Sequence, residues 1–307
     1  MITKQQKKYY IGVLLAVFGA VFFAGKAVIV KYCFIHYKVD TIGLLALRML
    51  FSAPLYLIVL WLEPKKNLTN SPTTLQKKDW FYVILAGTMG YYLASFFDFW
   101  GLQYVTAGIE RLVLFVYPTI VVLLGAIVFR KKITRNQYIA LFITYLGVFL
   151  AFFPEIFLTH KVQKNLFLGS FLVFLSAFTY AVYLVVCGKV IPKFGTIRFT
   201  CYAMLVSTVL ILTHHSIVNT QSLGGYESNI YLFAILMAVV CTVIPSFMIT
   251  EAIKRIGSSN TSIIGSIGPI TTIVLAVCFL DETFDIWQIL GTITVVCGVL
   301  LISLSKK

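Results

Sequence analysis

Ten apolar runs, each close to twenty residues long, follow one another along this chain with only short polar connections between them. They lie near 10–32, 41–62, 80–101, 105–129, 136–153, 167–187, 196–217, 229–251, 260–280 and 286–304. A helix needs about 20 predominantly apolar residues to cross a bilayer, so each run is predicted to be a transmembrane helix. Within hydrocarbon every backbone N–H and C=O must be satisfied inside the segment, and for runs of this length only a helix does that. The longest connection, EPKKNLTNSPTTLQKKD, is polar and turn-rich and too short to fold as a soluble domain. Only 12% of residues are charged and 60% are hydrophobic, where soluble domains carry about 25% charge. The fold class is an all-α membrane protein.

The start, MITKQQKKYYIGVLLAVFGAVFFAG, has the basic-then-apolar layout of a signal peptide. A first transmembrane helix is the better reading, because the apolar run resumes past Lys26 and a matching segment recurs later in the chain. The net charge of +14 comes from Lys and Arg in short connections, which points to membrane orientation rather than to nucleic acid. With the N-terminus inside, the inner connections and termini hold 18 of the 25 basic residues and the outer ones hold 4 (Lys31, Lys38, Lys161 and Lys164). That bias places both termini on the cytoplasmic side of the plasma (inner) membrane. The six cysteines lie almost wholly within apolar runs without a CxxC pair, and the four histidines show no ligand spacing. They read as small core residues and loop residues, and no metal or cofactor is expected.

An internal repeat underlies the ten spans. YPTIVVLLGAIVFRKKITRNQYIALFITYLGVFL (117–150) aligns with GPITTIVLAVCFLDETFDIWQILGTITVVCGVLL (268–301) at an offset of 151, which superposes Pro118 on Pro269, Gln137 on Gln288 and Gly147 on Gly298. The same offset sets Ser95-Phe96 on Ser246-Phe247. Near 155, Thr41-Ile42 and Met49-Leu50 meet Thr196-Ile197 and Met204-Leu205; near 157, Gly12, Ala20 and Ala24 meet Gly169, Ala177 and Ala181. The chain therefore divides into 1–158 and 159–307, five helices each. Five is odd, so the second copy enters the membrane from the opposite side. Two inverted five-helix repeats are an architecture of secondary transporters, with the site between the halves. Pro118 and Pro269 each remove a backbone hydrogen bond in a long apolar helix, as hinges or as fixed kinks. Gly12, Ala16, Ala20 and Ala24 form a small-residue ridge for close packing.

At these residues the chain resembles the EamA-type family of the drug/metabolite transporter superfamily. The resemblance covers nearly the whole sequence and is strongest in ERLVLFVYPTIVVLLGAIVFRKKIT and IKRIGSSNTSIIGSIGPITTIVLAVCFLDETF. It implies ten helices in an inverted repeat, transport without ATP, and a central cavity lined mainly by the third and fourth helices of each half. One departure is visible: the family often ends the fourth span of each repeat on an acidic residue, as at Glu282, where the first half has Lys131.

Five ionisable residues fall inside spans of the first half: Lys26, Arg48, Asp98, Glu110 and Arg111. By helical rise each lies roughly 5 to 11 Å below the outer boundary, and a charge in hydrocarbon costs about 2.5–3.5 kcal/mol at the bilayer centre. Their counterparts in the second half are Tyr183, Ala203, Ile249, Thr261 and Ser262. One half thus supplies charge to a shared pocket and the other a small polar wall, SSNTSIIGSIGP. Arg48 or Arg111 suits a carboxylate or phosphate, Glu110 or Asp98 a coupling proton, and Lys26 an exchange between an acidic partner and solute. The structural alternative is a closed network, for instance Arg48 with Glu110 and Lys26 with Asp98. Tyr91, Ser95 and Asp98 share one face of the third helix, and Glu110 and Tyr117 share one face of the fourth. The expected solute-binding set is therefore Lys26, Arg48, Tyr91, Ser95, Asp98, Glu110, Arg111, Tyr117, Thr261 and Ser262.

The segment GAVFFAGKAV misses a P-loop by one residue of spacing and lacks the Ser or Thr after its lysine. A membrane-embedded enzyme or a channel using the charged cluster is the alternative, but neither an HExxH motif nor a ring of like charges is present in the sequence. The expected function is secondary transport of a small organic metabolite, such as an amino acid or amphipathic solute, by alternating access. Export is the direction suggested by family analogy. The expected partners are the solute and the bilayer, with a homodimer as an open option.

Overall fold

A computed structural model describes residues 4–63, 76–105, 110, 113–130, 132–157, 165–218, 222–280 and 286–304. Arg111, Lys131 and Glu282 lie outside the described residues. Every element assigned among the described residues is helical. In chain order these are α1 (Lys4–His36), α2 (Thr41–Leu62), α3 (Lys77–Gly101), α4 (Tyr117–Phe129), α5 (Arg135–Phe157) and α6 (Leu166–Phe194). They continue as α7 (Thr196–Val218), α8 (Ser228–Ile256), α9 (Ser258–Ile264), α10 (Ile267–Leu280) and α11 (Ile286–Leu304). Helices α1, α2, α3, α6, α7 and α8 are long and apolar enough to cross a membrane, and shorter apolar helices cover Tyr117–Phe129 and Ile289–Leu301. Helix extends past the apolar run at several ends. α1 begins six residues before its run and ends four after it, because hydropathy marks the hydrocarbon depth whereas a helix continues into polar residues beyond it.

Two spans are broken where the sequence holds proline. In the fourth predicted span a turn at Phe115–Val116 precedes α4, whose second residue is Pro118. In the ninth, a turn at Gly265–Ser266 separates α9 from α10, whose third residue is Pro269. Each proline removes the hydrogen bond that would reach four residues back and crowds that carbonyl, so the helix is interrupted ahead of it and not bent through it. Tight bonds fill the gap, Val116 N to Val113 O at 3.1 Å and Ser266 N to Ile263 O at 3.1 Å. Two other helices carry π turns at related places, Gly87–Leu93 in α3 and Val239–Val243 in α8. The second lies within the stretch reached by adding 151 to the first.

Packing repeats itself with the partners exchanged. α1 runs antiparallel to α8: a β-carbon on Gly12 would fall 2.7 Å from Ile256 Cγ2, and one on Gly19 would fall 3.0 Å from Ile249 Cδ1. At Gly169, the counterpart of Gly12, a β-carbon would fall 2.7 Å from Val105 Cγ1, and Val105 is the counterpart of Ile256. Gly147 packs on the backbone of Gly291 and Val295 in α11, while Gly298 packs on Ala140 and Thr144 in α5. Close approach of this kind is how helices associate where apolar burial gives no net drive, through small residues at the contact. The first part of the ridge, Gly12 and Ala16, thus serves the α1–α8 seam, with Ala16 and Ala252 buried in one cluster, while Ala20 and Ala24 border a central cavity.

The face on which α1 begins carries the ion pairs Lys193–Asp79 (2.7 Å), Arg198–Glu63 (3.2 Å) and Arg255–Glu251 (2.8 Å), with Lys254 3.8 Å from the same Glu251. On the far face Lys31 Nζ donates to the carbonyls of Leu102 and Val105. There Asp40 caps α2 by accepting from Gly43 N at 2.8 Å, and it also accepts from the Tyr226 hydroxyl at 2.7 Å.

Candidate functional site

Both breaks and the π turn of α3 converge on one cavity of about 60 Å³. It is lined by Leu114, Phe115 and Tyr117 at the break before α4, by Gly265, Gly268 and Pro269 at the break before α10, and by Gly90 and Ala94 beside the π turn of α3. Backbone that leaves helical geometry at membrane depth is tolerated only where it is buried in protein or borders a polar cavity, and π turns concentrate at functional sites. The lining is also paired by the repeat. Phe23 and Tyr180, Asp98 and Ile249, Leu114 and Gly265, and Tyr117 and Gly268 are counterparts at offsets of 157 or 151, and all eight border the cavity. Phe23 and Tyr180 stack on each other, centroids 5.9 Å apart at 15°.

Lys26 from α1 and Asp98 from α3 meet in the wall at 2.6 Å, 3% and 1% exposed. Lys26 Nζ also stands 4.7 Å from the Phe23 ring centre and 5.5 Å from that of Phe99. The pair is held from behind. Arg48 of α2, buried, donates from its terminal nitrogen to Ser95 Oγ at 3.0 Å and lies 5.2 Å from the centre of the Phe99 ring, so Phe99 faces two cations. The Arg48 Nε makes no hydrogen bond among the described residues. A guanidinium so placed offsets the Asp98 charge at short range without touching it, which matters because a buried charge left uncompensated costs several kcal/mol.

The predicted site residues separate into those at the cavity and those near it. Lys26, Ser95, Asp98, Tyr117, Thr261, Ser262 and Pro269 line it. Arg48 stands behind the wall and is held by Ser95 and Phe99 instead of by Glu110. Tyr91 is buried beside it, edge-on to Tyr183 with the hydroxyls 3.4 Å apart. Glu110 is fully buried and, like Pro118, is not among the lining residues described. Phe23, Ser176 and Tyr180 also line the cavity and escape a search for charges in spans. Tyr180 and Ser176 were reachable through the repeat, as the counterparts of Phe23 and Gly19.

The hydroxyls of the wall spend their protons on backbone. Ser176 donates to Ala94 O at 2.7 Å, Thr261 to Gly257 O at 2.8 Å and Ser262 to Ser259 O at 2.8 Å, which leaves their oxygens to act as acceptors. The Tyr117 hydroxyl crosses the cavity to Ser262 O at 3.3 Å. On the side of the face where α1 begins, a polar vestibule of about 470 Å³ opens between α4 and α5 on one side and α8 and α9 on the other. Lys132, Arg135 and Asn136 line it, as does the bond from Gln137 Nε2 to Asn260 Oδ1 at 3.1 Å. Ser259 and Asn260 of the vestibule are followed directly by Thr261 and Ser262 of the cavity, so the two spaces adjoin along α9.

Fold and cavity define a multi-pass helical membrane protein with a small cavity between its helices and a buried ion pair in the cavity wall. The profile of the EamA-like transporter family matches residues 10–153 and again 167–304. The chain is 31% identical over 289 residues to the uncharacterized transporter YcbK of Bacillus subtilis, covering 91% of this chain and 88% of that one. It is also 29% identical to the uncharacterized protein MJ1333.1 of Methanocaldococcus jannaschii, over 122 residues that make up 40% of this chain but 83% of that protein. A solved crystal structure shares the fold with a TM-score of 0.75 at 14% identity, covering 95% of this chain and 98% of the other. The chain belongs to the EamA-like transporter family and is a membrane transporter by descent.

Proposed function

We infer that the protein is a secondary transporter that binds a small organic metabolite in the central cavity and exposes it alternately to the two faces. Two inverted halves, 1–158 and 159–307, rock about the shared cavity. The observation that carries this reading is the convergence of both broken helices, with the π turn of α3, on one enclosed space whose lining residues are repeat counterparts. Half-helices meeting at the midplane are how transporters build a polar site inside hydrocarbon. Support for the half as a unit comes from the double match of the family profile and from the half-length archaeal relative. The 18-to-4 distribution of basic residues supports cytoplasmic termini at the plasma (inner) membrane. The vestibule then opens to the cytoplasm, which suits loading for export. The breaks before Pro118 and Pro269 act as hinges, and the Tyr117–Ser262 contact parts when the cavity opens.

A cavity of about 60 Å³ holds a few waters and no metabolite, so binding requires the halves to separate. Candidate solutes are amino acids and similar amphipathic metabolites, with Asp98 or Glu110 as candidate carriers of a coupling proton. Uptake and efflux of a labelled metabolite library in proteoliposomes, with and without a pH gradient, tests the reading. Saturable flux driven by the gradient is expected, and no flux of any solute under either condition contradicts it.

A further inference from the structure

The seat that Lys26 occupies is built for an ammonium group. A carboxylate stands 2.6 Å from its nitrogen, and two aromatic rings lie with their centres 4.7 and 5.5 Å away. Rings present a negative face to a cation, and the same combination recognises organic cations in aromatic cages. The aromatic wall continues into the cavity, since Phe23 stacks on Tyr180 and Tyr180 meets Tyr117 edge-on at 5.3 Å. A second observation points the same way. The hydroxyls of Ser176, Thr261 and Ser262 have given their protons to backbone carbonyls, so what they offer a solute is oxygen lone pairs. An acceptor-rich wall around one carboxylate suits a donor with several N–H or N–CH groups. A carboxylate solute would find Lys26 as the one charged donor among the described residues of the wall.

We propose that the central cavity takes small organic ammonium solutes, and that Lys26 is a tethered competitor for their seat. This rests on the reading of the cavity as the solute site. The solute ammonium meets Asp98 and the ring of Phe23 and displaces Lys26 Nζ, which moves off on its flexible four-carbon stem. Two ammonium groups do not share one carboxylate in so small a buried space. The displaced lysine therefore gives up a proton: one N–H bond breaks, the electron pair stays on Nζ, and the proton leaves to water on the open side. One cation enters and one proton departs, so the charge of the site is unchanged. When the solute leaves on the other side, Nζ takes a proton there and returns to Asp98. This exchange assigns the coupling proton to Lys26 instead of Asp98 or Glu110. Arg48, across Phe99, keeps the carboxylate partly compensated while the seat is empty.

The full-length protein in detergent micelles is titrated calorimetrically with tetramethylammonium, a permanent cation, and with pivalate, an anion of similar shape. Proton release is read from buffers of different ionisation enthalpy. The wild type is expected to bind tetramethylammonium, to release close to one proton per cation and to ignore pivalate. Lys26→Met is expected to bind the cation at least tenfold more tightly and without proton release, and Asp98→Asn to lose it. Phe23→Leu is expected to weaken binding about fivefold. Lys26→Arg keeps a competitor that does not deprotonate and is expected to weaken binding and abolish proton release, which preserves the test if Lys26→Met fails to elute as a folded, monodisperse species. The proposal is overturned if neither wild type nor folded Lys26→Met binds tetramethylammonium, or if the wild type binds pivalate and Lys26→Met loses it. Binding in micelles needs no flux. A protein that binds the cation yet moves nothing in proteoliposomes would count against the transport reading alone.

Discussion

Helices α3 and α8 share a π turn in mid-helix, but α3 sends a carboxylate to the cavity where α8 sends an aliphatic side chain. Both change to π geometry in the middle, at Gly87–Leu93 and Val239–Val243. Both follow that turn with a buried serine, Ser95 and Ser246, and both send the residue three further on to the cavity, Asp98 in one and Ile249 in the other. Even the two serines are served by α2, since Arg48 donates to Ser95 at 3.0 Å and the Tyr56 hydroxyl sits 2.9 Å from Ser246. The difference separates two things that the repeat would otherwise confound. Shape at the cavity belongs to both halves and follows from irregular backbone. Among the described residues, charge at the cavity comes from two residues of the first half, Lys26 and Asp98, whose counterparts are Tyr183 and Ile249.

Making the two helices alike should therefore remove chemistry and keep structure. Asp98→Ile leaves the Lys26 ammonium buried without its carboxylate and is expected to cost about 3–5 kcal/mol in thermal unfolding, together with transport. Adding Lys26→Met removes the stranded charge, and the double variant is expected to unfold near the wild-type temperature or above it while transport stays absent. Equal losses of stability in the single and double variants would show that the pair carries structure beyond its charge. The reverse change, Ile249→Asp, places an unmatched carboxylate in the second half and is expected to cost about 2–3.5 kcal/mol.

Smaller effects sharpen the same comparison. At Gly90 in α3 a β-carbon would fall 2.3 Å from Tyr183 Cγ, whereas at Gly25 in α1, against α8, it would stand 3.5 Å from Cys241 Sγ. Gly90→Ala is expected to lose about 1–3 kcal/mol through overpacking, and Gly25→Ala to unfold with the wild type. Ser95→Ala strips a hydrogen bond from a buried cation and is expected to cost about 1.5–3 kcal/mol, against about 1 kcal/mol for Ser246→Ala, whose partner is a neutral hydroxyl. Tyr117→Phe removes the contact to Ser262 O across the cavity and is expected to change the exchange rate in proteoliposomes by a few-fold without shifting the unfolding temperature beyond about one degree.

The all-helical fold and the six helices long and apolar enough to cross a membrane were legible because hydrophobic length is a one-dimensional property of the sequence. Helix covers at least part of each predicted run, and the two prolines mark the two breaks. What the prolines do locally was not legible: a kink and an interruption remove the same hydrogen bond, and only the surrounding packing decides between them. Lys26 and Asp98 were found because charge in an apolar run is conspicuous, and their pairing was one of the arrangements weighed. Ser95 as the hydrogen-bond partner of Arg48 was not legible, because a residue 47 positions away on another helix is fixed by helix rotation, which hydropathy does not encode. Tyr180 and Ser176 look like ordinary helix residues, yet the repeat offset carries Phe23 and Gly19 onto them. Arg111, adjacent to Glu110, lies outside the described residues.

The most direct test is side-specific labelling of Ser262→Cys in a background lacking the six native cysteines. Position 262 faces the cavity beside Tyr117 and is 1% exposed in the closed arrangement. In membrane vesicles of each orientation, a membrane-impermeant thiol reagent is added from one face and then from the other, with and without transported solute. A cavity shared by two rocking halves requires labelling from both faces, slowed from both by the solute. Labelling from a single face, or labelling that solute leaves unchanged, would contradict it.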